Sequence, residues 1–450
     1  MKILLLESSN RLGGWIQTSQ FDDGTVFEHG PRNMRASGKS AVNSLKLVED
    51  LGLENDIIAV PKSHPAAKKR FLYVNKTISA LPSGPLGLIT KQPPFSKPLA
   101  LLAWKEPFKR GTPLHDESVY DFFCRLFDKE LAEYAADPLC RGIYAGDCRK
   151  LSVKSCFPEV FNLEQKYGSL IRGSLLMDRD KTVPTGLVKK SKDEKWSLWT
   201  LRHGLSQITR AIVDVLNSDD RFEILIGVKC EKVDFLGPTA KIQYKGKQVE
   251  VDHVLSSVPS RNLASIIEDQ HSRLATDLRK IPTVSCGVVN LEFEDFKLQL
   301  EGFGHLVPSS EPSKVLGMLY ESCVFPEHNR KDGRATRLTC MLGGAWFEEY
   351  FGNPDNCDLD LLGEVAVTAV KQQLRVDMRP SRIIIRLQKN CIPQYHVGHC
   401  DIMEKLDTYI GEHKLPLTLV GASYRGASVN DCISNAKLEV EKLANRNRSS

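Results

Sequence analysis

The sequence contains no C-x-x-C pair, and its twelve cysteines are scattered, from Cys124, Cys140, Cys148 and Cys156 singly to Cys432. In a chain of 450 residues that spacing excludes a disulfide framework and predicts reduced, mostly buried thiols. Metal-ligand spacing is also missing. His396, His399 and Cys400 form the tightest group, and without a second cluster they read as surface or core residues, so no metal is expected. No window approaches the roughly 20 apolar residues of a spanning helix, and the first residues lack the succession of a secretory leader. Charge of one sign is scarce too. A net +5 with dispersed Lys and Arg gives no footprint for nucleic acid, while leaving weak attraction to anionic lipid.

One further absence shapes the reading. Ile3-Leu4-Leu5-Leu6 runs into Glu7, and Gly13-Gly14 follows. In dinucleotide-binding α/β units a second strand ends in this way, its acid taking the ribose hydroxyls. The strand and G-x-G-x-x-G turn that precede such an acid are not present. The expectation is therefore a fragment start, an alternative initiation or a misplaced gene boundary. The parallel sheet should then show unpaired edges on both neighbours of the missing strand.

What is present fits an ordinary folded protein, 41% apolar and 26% charged, too long for one core and expected to form two or three domains. Residues 1–60 read as α/β, with a turn at Asp23-Gly24, then Gly30-Pro31-Arg32 and a helix carrying Val42, Leu45, Val48 and Leu51. Pro, Gly and Lys crowd 61–98, and 99–180 reads as mainly helical, with Val119, Phe122, Phe123, Leu126 and Leu131 on one face. Trp104 and Phe108, flanked by Lys105, Lys109 and Arg110, fit either a core helix with its lead-in or an interfacial membrane contact.

The polar run 178–195 reads as an exposed connection. Alternation resumes at Phe222, Ile224, Ile226 and Val228 and continues to Val254 as a β-meander. Further strands are expected at 284–292, 313–320, 337–342 and 382–388, with helices near 358–374 and 401–411. Leu417–Val420 reads as a strand entering Gly421 and Gly426, and Asn430-Asp431 as the cap of a last helix. A glycine turn between strand and helix aims free N–H groups at an anion or an electron-rich ring edge, so the two chain ends are expected to converge on one cofactor.

Several blocks together resemble the protoporphyrinogen oxidase family of the flavin amine oxidase superfamily. They include Glu7-Ser8-Ser9 with Arg11-Leu12-Gly13-Gly14-Trp15, Phe27-Glu28-His29-Gly30-Pro31-Arg32, Arg70-Phe71-Leu72-Tyr73, and Leu139-Cys140-Arg141-Gly142. Gly302-Phe303-Gly304-His305, Met341-Leu342-Gly343-Gly344-Ala345-Trp346, Gly421-Ala422-Ser423-Tyr424 and Val429-Asn430-Asp431 complete the set, in order along the chain. The resemblance implies an α/β fold: a Rossmann-like FAD-binding domain, incomplete at its N-terminus, an α+β substrate domain and a helical membrane-contacting insert. The segments would be 1–60, 196–260 and 416–450 for FAD, 61–180 for the insert, and 261–415 for substrate.

By the same resemblance, Glu7 and Ser8 meet the FAD ribose, while Trp15, Gly30, Pro31, Arg32 and Asn33 lie along the flavin. Cys230 offers its backbone to the adenine, and Gly426, Ser428 and Val429 approach the ring. Arg70 holds a substrate propionate, and Leu139, Gly142, Phe303 and Met341 border the macrocycle. No catalytic acid–base residue is implied. The reaction is six-electron oxidation of protoporphyrinogen IX to protoporphyrin IX, with oxygen as acceptor and hydrogen peroxide as by-product, in haem synthesis. The alternatives are a truncated, FAD-deficient non-catalytic form or another flavin amine oxidase. A peripheral place on the mitochondrial inner membrane, facing the intermembrane space, is implied, and a homodimer is compatible. His203 stands where such relatives carry glycine, so strained left-handed backbone is expected there.

Overall fold

The computed structural model of the chain describes residues 1–109, 114–176 and 183–449. Arg110 and the first residues of the polar run, 178–182, lie outside them. The chain opens on β1 (Ile3–Glu7), reaches α1 (Lys39–Asp50), and continues to the antiparallel pair β2 (Phe71–Val74) and β3 (Thr77–Ala80). Helices follow, among them α2 (Val119–Leu126), α3 (Asp137–Tyr144), α4 (Leu170–Leu176), α5 (Gly186–Asp193) and α6 (Ser206–Asn217). Then come β4 (Phe222–Ile226), a meander at 232–251 and β5 (Val254–Ser256). The remainder contains β6 (Thr283–Glu294), β7 (Gly304–Leu306), β8 (Val315–Leu319), β9 (Ala335–Gly344), β10 (Arg382–Pro393), β11 (Leu417–Leu419) and α7 (Val429–Ser449).

The α/β part is built from both ends of the chain. β1 pairs in parallel with β4, Ile3 opposite Phe222 and Glu7 opposite Ile226, while β5 pairs in parallel with β11. Among the described residues these remain two separate two-stranded ladders. β4 therefore leaves the meander, which holds only 232–251, because its partner is the distant β1 and not its neighbour in sequence. Leu6 of β1, Leu417 and Leu419 of β11, and Val233 and Phe235 of the meander bury apolar surface in one cluster.

Three local expectations change. The stretch read as an exposed connection contains α5, whose Leu187, Val188 and Ser191 are buried while its lysines face outward. An amphipathic turn was masked there by its basic composition. The cap of α7 is Ser428, whose Oγ accepts from Asp431 N–H at 3.2 Å, and not Asn430 or Asp431. The left-handed residue after Arg202 is Gly204 (φ 76°), which spares His203 that strain.

The second layer is a seven-stranded sheet ordered β10-β6-β9-β8-β7-β2-β3. Its long strands β6 and β9 alternate residues into a core of Val289, Leu291, Leu338, Cys340 and Leu342, covered by Leu362 and Ala366 of a helix at 359–369. β2 and β3 extend this sheet through the parallel pairing of β7 with β2, so residues 71–80 are strands of the seven-stranded sheet and not part of a helical segment. The twelve cysteines are free and none is exposed.

Candidate functional site

The first wall of the site is made by strand ends and glycines. Glu7 Oε1 accepts from Ser9 N–H (2.7 Å), which leaves the other carboxylate oxygen without a partner among the described residues. Val228 N–H donates to Glu7 C=O (2.8 Å), which places Cys230 two residues from the same strand end, and Ser8 is exposed beside it. Gly13 and Gly14 take φ of 109° and 55°, turning the chain so that Arg11 Nη1 donates to Ile16 C=O (3.0 Å). Gly30 is sterically required, since a Cβ there would lie 1.9 Å from Trp15 C=O. The Trp15 loop thus rests directly on the Gly30-Pro31-Arg32-Asn33 turn.

The C-terminal segment closes the same wall. Val429, Ile16 and Met34 bury surface in one cluster, and Asn430 Nδ2 donates to Arg35 C=O (3.1 Å). Gly426, at φ 124°, donates its N–H to Tyr395 Oη (2.9 Å), while that hydroxyl donates to Ala422 C=O (2.5 Å). Glu7, Trp15, the 30–33 turn, Cys230 and the 426–429 turn therefore belong to one continuous region.

Of the residues assigned to substrate, Met341 stands in a row that crosses the sheet. Leu306 of β7, Gly317 of β8 and Met341 of β9 are register partners on adjacent strands. Gly142 of α3 packs on Leu306 so closely that a Cβ would lie 2.7 Å from Leu306 Cδ2. Leu139 sits one turn earlier and remains 39% exposed. Arg70 donates to Ala66 C=O and lies over the Phe303 ring, 4.5 Å from its centroid. At the other end of the row Arg32 Nη1 approaches Met341 Sδ at 3.6 Å, so the glycine-turn wall and the sheet meet at one contact.

Beneath this contact lies a buried polar network that no sequence pattern signals. Arg32 Nε faces Glu321 Oε1 at 2.9 Å, an ion pair too poorly aligned to count as a hydrogen bond, and Nη2 is buried without a partner. Thr339 Oγ1 lies 3.0 Å from Glu321 Oε1 and 2.7 Å from Asn290 Oδ1, while Asn290 Nδ2 donates to Glu28 C=O (3.0 Å). Burial raises the Glu28 carboxyl to about 8, against the lowering effect of Leu205 N–H (2.6 Å) and Thr18 Oγ1 (2.8 Å). Burial, with Arg386 and Arg32 nearby, lowers His29 to about 4. Its Nε2 lies 2.6 Å from Ser19 Oγ and its Nδ1 3.2 Å from Asn290 Nδ2, so Nδ1 accepts and Nε2–H donates. The only sequence cue is a lone acid ending an apolar strand, as in Leu319-Tyr320-Glu321, which is common at strand ends.

The remaining candidates have structural duties. His399 stacks on Tyr395 with centroids 4.1 Å apart and donates to Tyr424 C=O (2.8 Å), and Cys400 lies beside Ser155. Among the described residues no three His, Cys, Asp or Glu side chains are grouped to hold a metal ion.

Comparison with known proteins accords with this geometry. The sequence profile described as flavin containing amine oxidoreductase matches residues 1–444. The protoporphyrinogen oxidase of Homo sapiens is 40% identical over 443 residues, which cover 97% of this chain and 91% of the human one. The chain belongs to the protoporphyrinogen oxidases of the flavin-containing amine oxidoreductase family. A more distant relative, the coproporphyrinogen III oxidase of Bacillus subtilis, is 28% identical over 98% of this chain and 91% of its own length. An Exiguobacterium crystal structure, provisionally described as a protoporphyrinogen oxidase, superposes with a TM-score of 0.79 at 21% identity, covering 98% of this chain and 92% of that one. That likeness extends to the whole α/β and seven-stranded architecture.

The family's cofactor is FAD, and the residues fit it. The open carboxylate oxygen of Glu7 suits a ribose diol, and the orphaned Arg32 Nη2 suits an electron-rich edge.

Proposed function

We propose that the chain oxidises protoporphyrinogen IX to protoporphyrin IX in haem synthesis, with FAD as cofactor and oxygen as final acceptor. The observation that carries the reading is the Arg32–Met341 contact, where the cofactor wall and the row Leu306, Gly317 and Met341 share one edge. The substrate loses six electrons and six protons in three two-electron steps, matched by reduction of three O₂ to three H₂O₂. FAD, when bound, supplies the two-electron acceptor that oxygen regenerates.

The chain's residues bind, orient and exclude water. Met341, Leu306 and Phe303 offer soft apolar and aromatic surface to a macrocycle. Arg70, fixed by Ala66 C=O and the Phe303 ring, presents a guanidinium to one propionate. Glu321 and Thr339 hold Arg32 in place, and His29, kept neutral by burial, adds no competing charge. With purified chain and added FAD, porphyrin fluorescence should grow from protoporphyrinogen IX. Arg70→Ala should raise KM roughly tenfold, about 1.4 kcal/mol, with flavin content unchanged. An unchanged KM would remove Arg70 from propionate binding.

We also place the enzyme on a membrane surface, on the mitochondrial inner membrane by resemblance. An apolar ridge supports this: Phe108 and Leu175 are 81% and 80% exposed, with Leu86, Ile89, Trp104 and Leu176 beside them. Glu106 holds the ridge together, its buried carboxylate accepting from Ser169 Oγ (2.7 Å) and Leu170 N–H (2.5 Å) at the start of α4. No described helix is long and apolar enough to cross a membrane. Trp104→Ser with Phe108→Ser should cut retention on anionic vesicles about tenfold while leaving thermal stability intact. Equal retention would assign the ridge another role.

A further inference from the structure

A second guanidinium stands beside Arg70. The two-residue strand Met34–Arg35 pairs antiparallel with the strand Trp196–Leu201, Met34 opposite Trp199 and Arg35 opposite Leu198. Ala36 N–H donates to Ser197 C=O (3.2 Å) and continues that ladder. Directly opposed residues of an antiparallel pair put their side chains on one face, so Arg35 and Leu198 emerge together. Leu198 and Ala66 share one buried cluster, and Phe303 packs against it. Ala66 and Phe303 are also the groups that fix Arg70, which donates to Ala66 C=O and covers the Phe303 ring. Arg35 and Arg70 therefore rise from neighbouring points of one surface, Arg35 exposed and Arg70 partly buried.

The electrostatics agree with that placement. Burial, and after it the charge of Arg35, lowers the Arg70 pKa from its usual value. Neither guanidinium meets a carboxylate among the described residues, whereas Arg32, Arg125 and Arg382 are each paired with an acid. Two like charges held side by side with no protein counter-ion suit a ligand that brings two anionic groups. A single carboxylate neutralises only half of the pair. The two backbones are anchored separately. Arg35 C=O accepts from Asn430 Nδ2 (3.1 Å), next to Val429 on the cofactor wall, while Arg70 leads into β2 of the seven-stranded sheet. A dianion bound between them spans the boundary of the two layers.

We propose that Arg35 is a second propionate-binding residue, taking the carboxylate that Arg70 leaves free, so that the two guanidiniums grip the propionate edge of the substrate together. The proposal rests on the oxidase reading. Protoporphyrinogen IX carries its two propionates on neighbouring pyrrole rings, which matches two cations that stand side by side. Holding both carboxylates selects one rotational setting of a nearly four-fold symmetric ring, which a single ion pair leaves free to swing. Arg35 thereby sets the orientation in which the macrocycle enters, and Arg70 alone does not.

The test compares the 450-residue chain with its Arg35→Gln variant. Each is loaded with FAD and assayed on protoporphyrinogen IX and on its dimethyl ester, which lacks both charges. Arg35→Gln should raise KM for the diacid about tenfold and keep KM for the diester within about twofold of the parent. Arg35→Gln combined with Arg70→Gln should bring the diacid KM to the value the parent shows for the diester, since removing both cations is equivalent to removing both carboxylates. Arg35→Lys should recover only part of the loss, because an ammonium lacks the two-point fork of a guanidinium. Equilibrium binding of protoporphyrin IX, followed by porphyrin fluorescence without turnover, should also weaken about tenfold in Arg35→Gln. Two results would overturn the proposal: a diacid KM in Arg35→Gln within about twofold of the parent, or an equal rise for diacid and diester, which marks a general distortion of the surface. A parent chain that forms no porphyrin removes the oxidase reading and the contact with it, whereas an active parent matched by Arg35→Gln removes the contact alone.

Discussion

Replacing Arg337 by alanine should lower the thermal midpoint by roughly 10 °C and cut soluble yield, the largest loss expected from any single change beside the site. Arg337 is almost fully buried. Its Nη1 donates to Val26 C=O (2.8 Å), Nη2 to Phe325 C=O (2.9 Å) and Nε to Asn329 Oδ1 (2.9 Å). Burial lowers its pKa only to about 10, because Glu321, Glu292 and Glu28 oppose the shift, so it stays charged at neutral pH. Truncation leaves buried carbonyls without donors and the nearby carboxylates without their cation. The combined cost is about 4–5 kcal/mol. Arg337→Lys should rescue little, since one ammonium cannot reach three acceptors spread as a fork. A drop below about 2 °C in either variant would show that water or rearranged neighbours replace the guanidinium.

The second large effect is a stability maximum near pH 6.5. His29, His305 and His328 are buried and held neutral, each with a pKa lowered to about 4 from 6.5. Between those values the unfolded chain binds protons that the folded chain refuses, so stability rises as pH rises through this window. Each contributes on the order of 3 kcal/mol at its upper end. Glu28 acts in the opposite sense. Its folded value of about 8 lies above its ordinary 4.5, so the folded chain keeps a proton that the unfolded one has released. Stability therefore falls with pH across that window, by about 1.4 kcal/mol per unit. Below pH 6.5 the histidines outweigh it, and above pH 6.5 Glu28 acts alone. Glu28→Gln should flatten the descending limb from pH 6.5 to 8 and leave the ascending limb in place. Thermal midpoints measured across pH decide the matter, and parallel descending limbs in parent and variant would sink the assignment.

Sequence patterns disclosed what depends on repetition or on a chain end. β1 closing on Glu7, the helix at 39–50, the long strands of the sheet and the glycine turn after β11 all rest on periodicity or on Gly and Pro at fixed places. The resemblance joined Arg32, Met341, Arg70 and Phe303 into one site, and the structure sets the members of each pair within contact distance. Other features stayed hidden for physical reasons. Glu28, Asn290, Glu321 and Thr339 each occur once, on strands or turns whose pattern is apolar, and only tertiary pairing makes them a network. β2 and β3 were obscured by the Pro- and Lys-rich sequence around them. α5 escaped notice because three lysines dominate its composition, although its inward face is buried.

Tyr395 carries one more consequence. Its carbonyl accepts from Ser152 N–H in the helical segment, its hydroxyl bridges Ala422 and Gly426, and its ring rests on His399. One aromatic side chain just past the end of β10 thus rivets three chain regions at a single point. The 422–426 glycine turn is thus tied in position to the end of the seven-stranded sheet, and a substitution that removes the Tyr395 ring and hydroxyl would release that turn from it.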